Sequence, residues 1–328
     1  MKRSLAVFGL FLWLAVLTAT ALGAGLRFVT LPADGNGPAM RVAIWSPCTQ
    51  PADRIVVGPF SLPAVRDCPI EGSALPLVVM SHGHAGTNLG HHDTAEALAN
   101  AGFIVAAVNH PGDNALDHSR SGDISVMIER PEDIKRVVDY LLGAFPDASR
   151  IDSRRIGMFG FSRGGYTALV LAGGSPDFLH ADLPCPEPGA PICAEASQPQ
   201  WAAPRLMHDS RIKAVVVADP LNAFPTPETL QGVRIPMQLW ASAHGGDGVM
   251  PAQVAALRSH LPLTPEFHDV PGSGHFAFLA PCPPDLAREI PQICTDAPGF
   301  DRAAFHATFN AEVLAFFQRT LNPTSARP

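Results

Sequence analysis

The segment that most constrains this chain is a short apolar strand that breaks on a serine between glycines and resumes as a helix. Ile156-Gly157-Met158-Phe159 runs into Gly160-Phe161-Ser162-Arg163-Gly164-Gly165, and residues 164–172 read as helix. In a G-x-S-x-G pattern set between strand and helix, the serine sits on a strained turn. Glycines two positions to either side avoid clashes with the neighbouring helix and strand. Ser162 is therefore the candidate nucleophile. Outside that context the same residues would read as a turn serine capping a helix.

The rest of the chain supplies the context. Short runs of bulky apolar residues at 75–80 (LPLVVM) and 103–108 (FIVAAV) predict strands covered on both faces. Further strands are expected at 155–161, 212–218, 235–241 and 266–270. Between them, helices are expected at 91–101, closed by Gly102, at 131–145 with Pro131 in the first turn, at 251–261 and at 300–321. Strands alternating with helices at this spacing imply an α/β fold with a mostly parallel, doubly wound sheet, whose chemistry lies at the strand carboxyl ends. Residues 26–47 alternate around Asp34-Gly35-Asn36-Gly37 and predict an N-terminal β-hairpin. The stretch 173–210 is too long and Pro-rich for a plain connection and follows the helix after Ser162, so it reads as a cap over the pocket.

A serine hydroxyl needs a base to take its proton. His275 lies in the Gly-rich loop Pro271-Gly272-Ser273-Gly274-His275, just after the last expected strand. Two aspartates compete to orient it. Asp247 follows the strand at 235–241 in the usual acid-bearing loop and is preferred; Asp219 ends the preceding strand and is the alternative. The oxyanion hole calls for two backbone N–H groups. Arg163 supplies one, and His84, in Ser81-His82-Gly83-His84-Ala85-Gly86, is chosen for the other. His82, His84, His91, His92 and Asp93 would suffice as metal ligands, but their spacing matches no metallohydrolase pattern, and no metal is expected.

Lys2 and Arg3 precede an apolar run over 5–17 and the small residues Ala19, Thr20 and Ala21, the pattern of a secretory signal peptide spanning 1–21 with cleavage between 21 and 24. The run is too short to span a membrane comfortably. A single domain over 22–328 in the periplasm or outside the cell is expected, with no integral membrane segment after cleavage. Six cysteines suit that oxidising compartment and fall into three local couples: Cys48 with Cys68, Cys185 with Cys193, and Cys282 with Cys294. With a net charge of −7 and no clustered basic residues, nucleic-acid binding is excluded.

Together these stretches resemble the α/β-hydrolase superfamily, and within it bacterial dienelactone-hydrolase-like proteins related to platelet-activating-factor acetylhydrolases. The matching segments are SHGHAG at 81–86, AGFIVAAVNHPGD at 101–113, GFSRGG at 160–165, RIPMQLW at 234–240 and PGSGHFAFLAPC at 271–282. The resemblance implies ester hydrolysis through an acyl-enzyme, without a cofactor, on a small-molecule ester or lipid of short-chain or phospholipid-like type. It also divides over the acid: acetylhydrolase-type enzymes place it at the position of Asp219, most of the superfamily near Asp247. Dienelactone hydrolases resemble this chain in fold but carry cysteine where Ser162 stands, which argues against dienelactone as substrate. A peptidase or amidase on the same triad, and a binding protein that keeps the fold without turnover, are the other readings.

Overall fold

The computed structural model describes residues 23–183, 189–202 and 204–322; the expected leader and Cys185 lie outside the described residues. Among the described residues, ten strands form one sheet in the order β10-β9-β8-β7-β5-β6-β2-β1-β4-β3. The hairpin β1 (Ala24–Leu31) and β2 (Met40–Ser46) is antiparallel, closes through an Asp34–Gly37 bridge, and joins the sheet where β2 pairs antiparallel with β6. Two strands not anticipated from sequence, β3 (Asp53–Val57) and β4 (Phe60–Arg66), extend that edge. Their alternation is polar and interrupted by Pro63, which faces only β3 because the pairing of β4 with β1 begins at Ala64, so the two strands are easily read as loop.

The heart of the sheet is parallel: β5 (Leu75–Ser81), β6 (Ile104–Val108), β7 (Ile151–Phe161), β8 (Ile212–Ala218), β9 (Met237–Ser242) and β10 (Glu266–Val270). Alternate residues of these strands feed two separate cores, so Val79 and Met158 face one side while Val78 and Phe159 face the other. Helices cover both faces. On one side lie α1 (His92–Asn100) and α8 (Arg302–Leu321); on the other lie α2 (Ile124–Leu142), α3 (Arg163–Leu171), the short α4 (Pro191–Glu195) and α5 (Pro251–His260). Each fully buried Leu or Val contributes about 1.5–3 kcal/mol relative to exposure, which explains why the apolar runs marked these strands so clearly.

One helix differs from its expectation. Instead of beginning at Pro131, α2 begins at Ile124 and carries Pro131 in its interior. A proline there cannot bond to the carbonyl four residues back. That carbonyl, of Met127, instead accepts from the Tyr166 hydroxyl at 3.2 Å. The first turn of α2 is tied down by Glu195, whose Oε2 accepts from the Ile124 amide at 2.8 Å. Ile124, Val126 and Met127 are buried, so packing carries the helix upstream of its proline.

The described residues of the 173–210 stretch form an irregular insert that holds α4 and buries Phe178 and Ile192 in the core. Beyond β10, the turn 275–278 leads to α6 (Pro284–Glu289) and α7 (Pro291–Cys294), where Cys282 and Cys294 are bonded, as are Cys48 and Cys68 near the other edge. Cys193 is also disulfide-bonded. No helix among the described residues is long and apolar enough to cross a membrane.

Candidate active site

Ser162 follows the end of β7 with φ 56° and ψ −118°, a left-handed conformation that costs a non-glycine residue energy and recurs at functional turns. The crossing is tight. A side chain on Gly160 would strike the backbone of Gly164, and one on Gly164 would strike the carbonyl of Ser81 at the end of β5. The turn is held by its own backbone: the Ser162 amide donates to Ala218 O at 3.0 Å, and Ser162 O accepts from Tyr166 and Leu221.

His275 opens the turn after β10 and is 1% exposed. Its ring stacks on Phe161, with centroids 4.6 Å apart, beside the serine. Its Nδ1 lies 2.6 Å from Oδ2 of Asp219. That carboxylate, fully buried, also accepts from the Ser242 amide at 2.9 Å and the Ser242 hydroxyl at 2.7 Å. With Asp219 accepting, the imidazole carries its proton on Nδ1, and the lone pair of Nε2 is free to take another. Nε2 is buried and has no hydrogen-bond partner among the described residues. An empty acceptor in that position is what a base awaiting a proton requires.

The pairing expected for Asp247 is therefore not the one present; Asp219, the alternative, holds His275. Asp247 sits in a turn closed by a Gly246–Val249 bridge, with its carboxylate a third exposed and 4.0 Å from Nδ1 of His84. Its loop serves His275 through backbone alone, since the His275 amide donates to Gly245 O at 2.8 Å.

The loop after β5 passes close over the serine: a Cβ on Gly83 would lie 3.1 Å from that of Ser162. Within it the Ala85 amide donates to Asp113 Oδ1 at 3.0 Å and the Gly86 amide to Gly83 O at 3.2 Å, whereas among the described residues the His84 amide has no such acceptor. The amide of Arg163 opens α3 next to Ser162. Helix amino ends leave their first N–H groups unsatisfied.

Sequence reasoning missed what braces this loop. Arg130, on α2 and 1% exposed, donates to the carbonyls of His82 at 2.8 Å and Gly83 at 3.0 Å and pairs with Asp113 at 2.8 Å. The guanidinium of Arg163 turns inward to Ser121 O at 2.7 Å and Asp113 Oδ2 at 3.3 Å. Burial alone would raise the Asp113 carboxyl, yet the two guanidiniums hold it well below the usual carboxylate range. Behind it, His110 bridges Ser81 Oγ and Asp133 Oδ2, each at 2.9 Å. Asp113 closes the 101–113 segment and could have been noticed there; nothing local distinguishes Arg130 from a surface helix arginine.

The five residues weighed as metal ligands do not converge. His82 Nδ1 meets Gly83 O at 2.7 Å while its Nε2 accepts from the His110 amide. His91 Nδ1 meets Phe278 O at 3.1 Å, His92 packs edge-on against Phe60, and Asp93 pairs with His306. No group of three or more metal-binding side chains occurs among the described residues. A cleft of about 540 Å³ opens between the β1–β2 turn and the loop after β6, lined by Arg41, Asn109, Leu116, Arg120 and Asp133; neither Ser162 nor His275 reaches it.

Comparison with known proteins agrees with this architecture. The sequence matches the model of the prolyl oligopeptidase family over residues 91–183 and that of platelet-activating factor acetylhydrolase, isoform II, over residues 39–133. Cutinase 2 of Thermobifida cellulosilytica is 31% identical over 118 residues, covering 35% of this chain and 41% of the cutinase. Cutinase cut1 of Thermobifida fusca matches at the same identity over 34% of its length. The chain thus spans about two-fifths or less of the cutinases it matches. Among solved structures, a ferulic acid esterase from Streptomyces cinnamoneus superposes with a TM-score of 0.66 at 21% identity, over 94% of both chains. A dienelactone hydrolase from Anabaena variabilis gives 0.50 at 15% identity, over 91% of this chain and 99% of the other. The chain is an α/β-hydrolase by fold.

Proposed function

We propose that this protein is a serine carboxylic-ester hydrolase that works through an acyl-enzyme on short-chain or phospholipid-like acyl esters. The observation that carries the reading is the buried imidazole of His275, bonded to Asp219 on one nitrogen, unpaired on the other, and stacked beside the strained turn of Ser162. In this reading Ser162 Oγ attacks the ester carbonyl carbon while its proton passes to His275 Nε2, and Asp219 stabilises the imidazolium. The amides of His84 and Arg163 receive the oxyanion, each such donor contributing about 10²- to 10³-fold. His275 then gives its proton to the departing alcohol, and a water repeats the sequence to release the acid. The cutinase and esterase likenesses support ester over other acyl bonds.

The insert 173–210 is assigned to the wall of the acyl pocket. It follows α3 directly, and its Asp177 amide bonds to Ala223 O in the segment whose Leu221 amide reaches Ser162 O. The paired cysteines suit a secreted or periplasmic location.

Ser162→Ala tests the reading directly. Turnover of p-nitrophenyl esters of graded chain length should fall by several orders of magnitude with the melting temperature unchanged, and a fluorophosphonate probe should label the wild type alone. Near wild-type turnover in the folded variant would sink the mechanism. A second reading, amide or peptide hydrolysis on the same residues, is favoured by the prolyl oligopeptidase match over 91–183. Faster cleavage of anilides than of matched esters would establish it.

A further inference from the structure

The turn that carries His275 presents two consecutive carbonyls to imidazole donors from different helical elements. Ala277 O lies 2.9 Å from His306 Nε2 on α8, and Phe278 O lies 3.1 Å from Nδ1 of His91, the residue before α1. Just beyond the turn, the Ala280 amide donates to Gly90 O at 2.9 Å. Both rings are buried, His306 to 2% and His91 to 5% exposure.

His306 has a second partner. Its Nδ1 lies 2.6 Å from Asp93 Oδ2, an oxygen that also accepts from the Asn310 side-chain amide at 2.8 Å. A backbone carbonyl can only accept. An ionised carboxylate can only accept too, so both ring nitrogens of His306 carry protons. Burial alone would raise the Asp93 carboxyl, yet its bonds from His306 and Asn310 hold it well below the usual range, which keeps it ionised. The titratable neighbours are His91, just before α1, and His92 and Glu96 on it; burial pushes His91 down to about 4, leaving it a neutral donor, and lowers His92, while burial and the Asp93 charge push Glu96 up to about 7. On α8 the nearby Arg302 is occupied by Asp296.

We propose that His306, donating to Asp93 from one ring nitrogen and to the carbonyl of Ala277 from the other, is a positioning residue that fixes the turn bearing His275. The claim rests on the serine-hydrolase reading for its effect on turnover. A charged donor bonds a carbonyl more strongly than a neutral one, and the turn has no other side chain on that carbonyl among the described residues. With His306 in place, the His275 ring stays against Asp219 and Phe161 throughout the proton transfers. Without it the turn can tilt, and misplacement of a catalytic group by about 1 Å costs on the order of 10²-fold in rate.

The test uses the full chain and two readouts. In wild type, nitrogen NMR at neutral pH should show both ring nitrogens of His306 protonated. The downfield proton of the His275–Asp219 hydrogen bond should be sharp, and in His306→Leu it should broaden or shift. In the same variant kcat for p-nitrophenyl acetate should fall about 10- to 100-fold with KM little changed. His306→Gln, which restores one donor to the carbonyl, should recover part of the loss. A neutral His306 in wild type overturns the proposal, as does a folded His306→Leu with unaltered kcat and an unaltered His275 proton. If the wild type neither hydrolyses esters nor takes a fluorophosphonate, the esterase reading fails by itself, and the two NMR signals still decide the role of His306.

Discussion

Asp219 and Asp247 both follow strands, both have positive φ, at 43° and 47°, and both belong to loops that touch His275. What separates them is the direction of one side chain. Asp219 points inward, where Ser242 donates to both its oxygens and fixes it against Nδ1 of His275, while Asp247 points towards solvent and His84. An orienting carboxylate sets the tautomer of its histidine, so its loss leaves the base with the proton on the wrong nitrogen. Asp219→Asn should therefore lower kcat by about 10³- to 10⁴-fold. Asp247→Asn should leave kcat close to wild type. Steady-state kinetics on both variants checks this, and the opposite ranking would return the role to Asp247.

At the scale of elements, α1 packs against α8 and brings together more charge than a buried helix face usually holds. Glu96 lies one turn after Asp93 on α1, and burial together with the Asp93 charge pushes its carboxyl up to about 7. A carboxyl whose folded pKa exceeds its unfolded value binds an extra proton in the folded state. The protein gains from this below pH of about 4.5, and the gain is lost as pH rises towards 7. Above that window an ionised Glu96 burdens the fold. Glu96→Gln should accordingly raise the melting temperature at pH 8 and change it little at pH 4. Melting curves across that range would count against the assignment if the difference were flat. The element also shows why Pro131 misled the reading of α2. A proline is a good first-turn signal only when nothing else satisfies the carbonyl it orphans, and here Tyr166, from α3, does so.

For the molecule as a whole, the sheet is built in two parts, a parallel half that carries the site and an N-terminal edge that does not. Cys48 and Cys68 close a loop that contains β3 and β4 at that edge. Restricting the unfolded chain over a loop of 20 residues is worth about 3 kcal/mol. The double variant Cys48→Ala/Cys68→Ala should lower thermal stability by an amount of that order and leave kcat unchanged, because β7, β8 and β9 lie across the sheet. A loss of kcat in still-folded protein would show that the edge supports the site after all.

Local pattern alone determined much of this protein. The order of parallel strands and helices, the Ser162 turn and the placement of His275 just after the last strand were all readable. Apolar runs, glycine spacing and position after a strand are properties of contiguous residues, and backbone geometry follows from them directly. The partner of His275 was not of that kind. β8 and β9 lie side by side with Ala218 opposite Trp240, and the Asp219 amide donates to Trp240 O at 2.9 Å. That register sets Asp219 beside Ser242, and no spacing along the chain records it. The same holds for Arg130 with Asp113 and for His306 with Asp93, pairs separated by 17 and 213 residues. Their chemistry arises where a helix packs over the loop at a strand's end, as α2 does over the loop after β6, or against another helix, as α1 does against α8. Only the tertiary structure could decide which of these charged groups become neighbours, because each pair needs residues far apart in the chain to be brought within a few ångströms and buried, and neither is encoded in the residues that flank them.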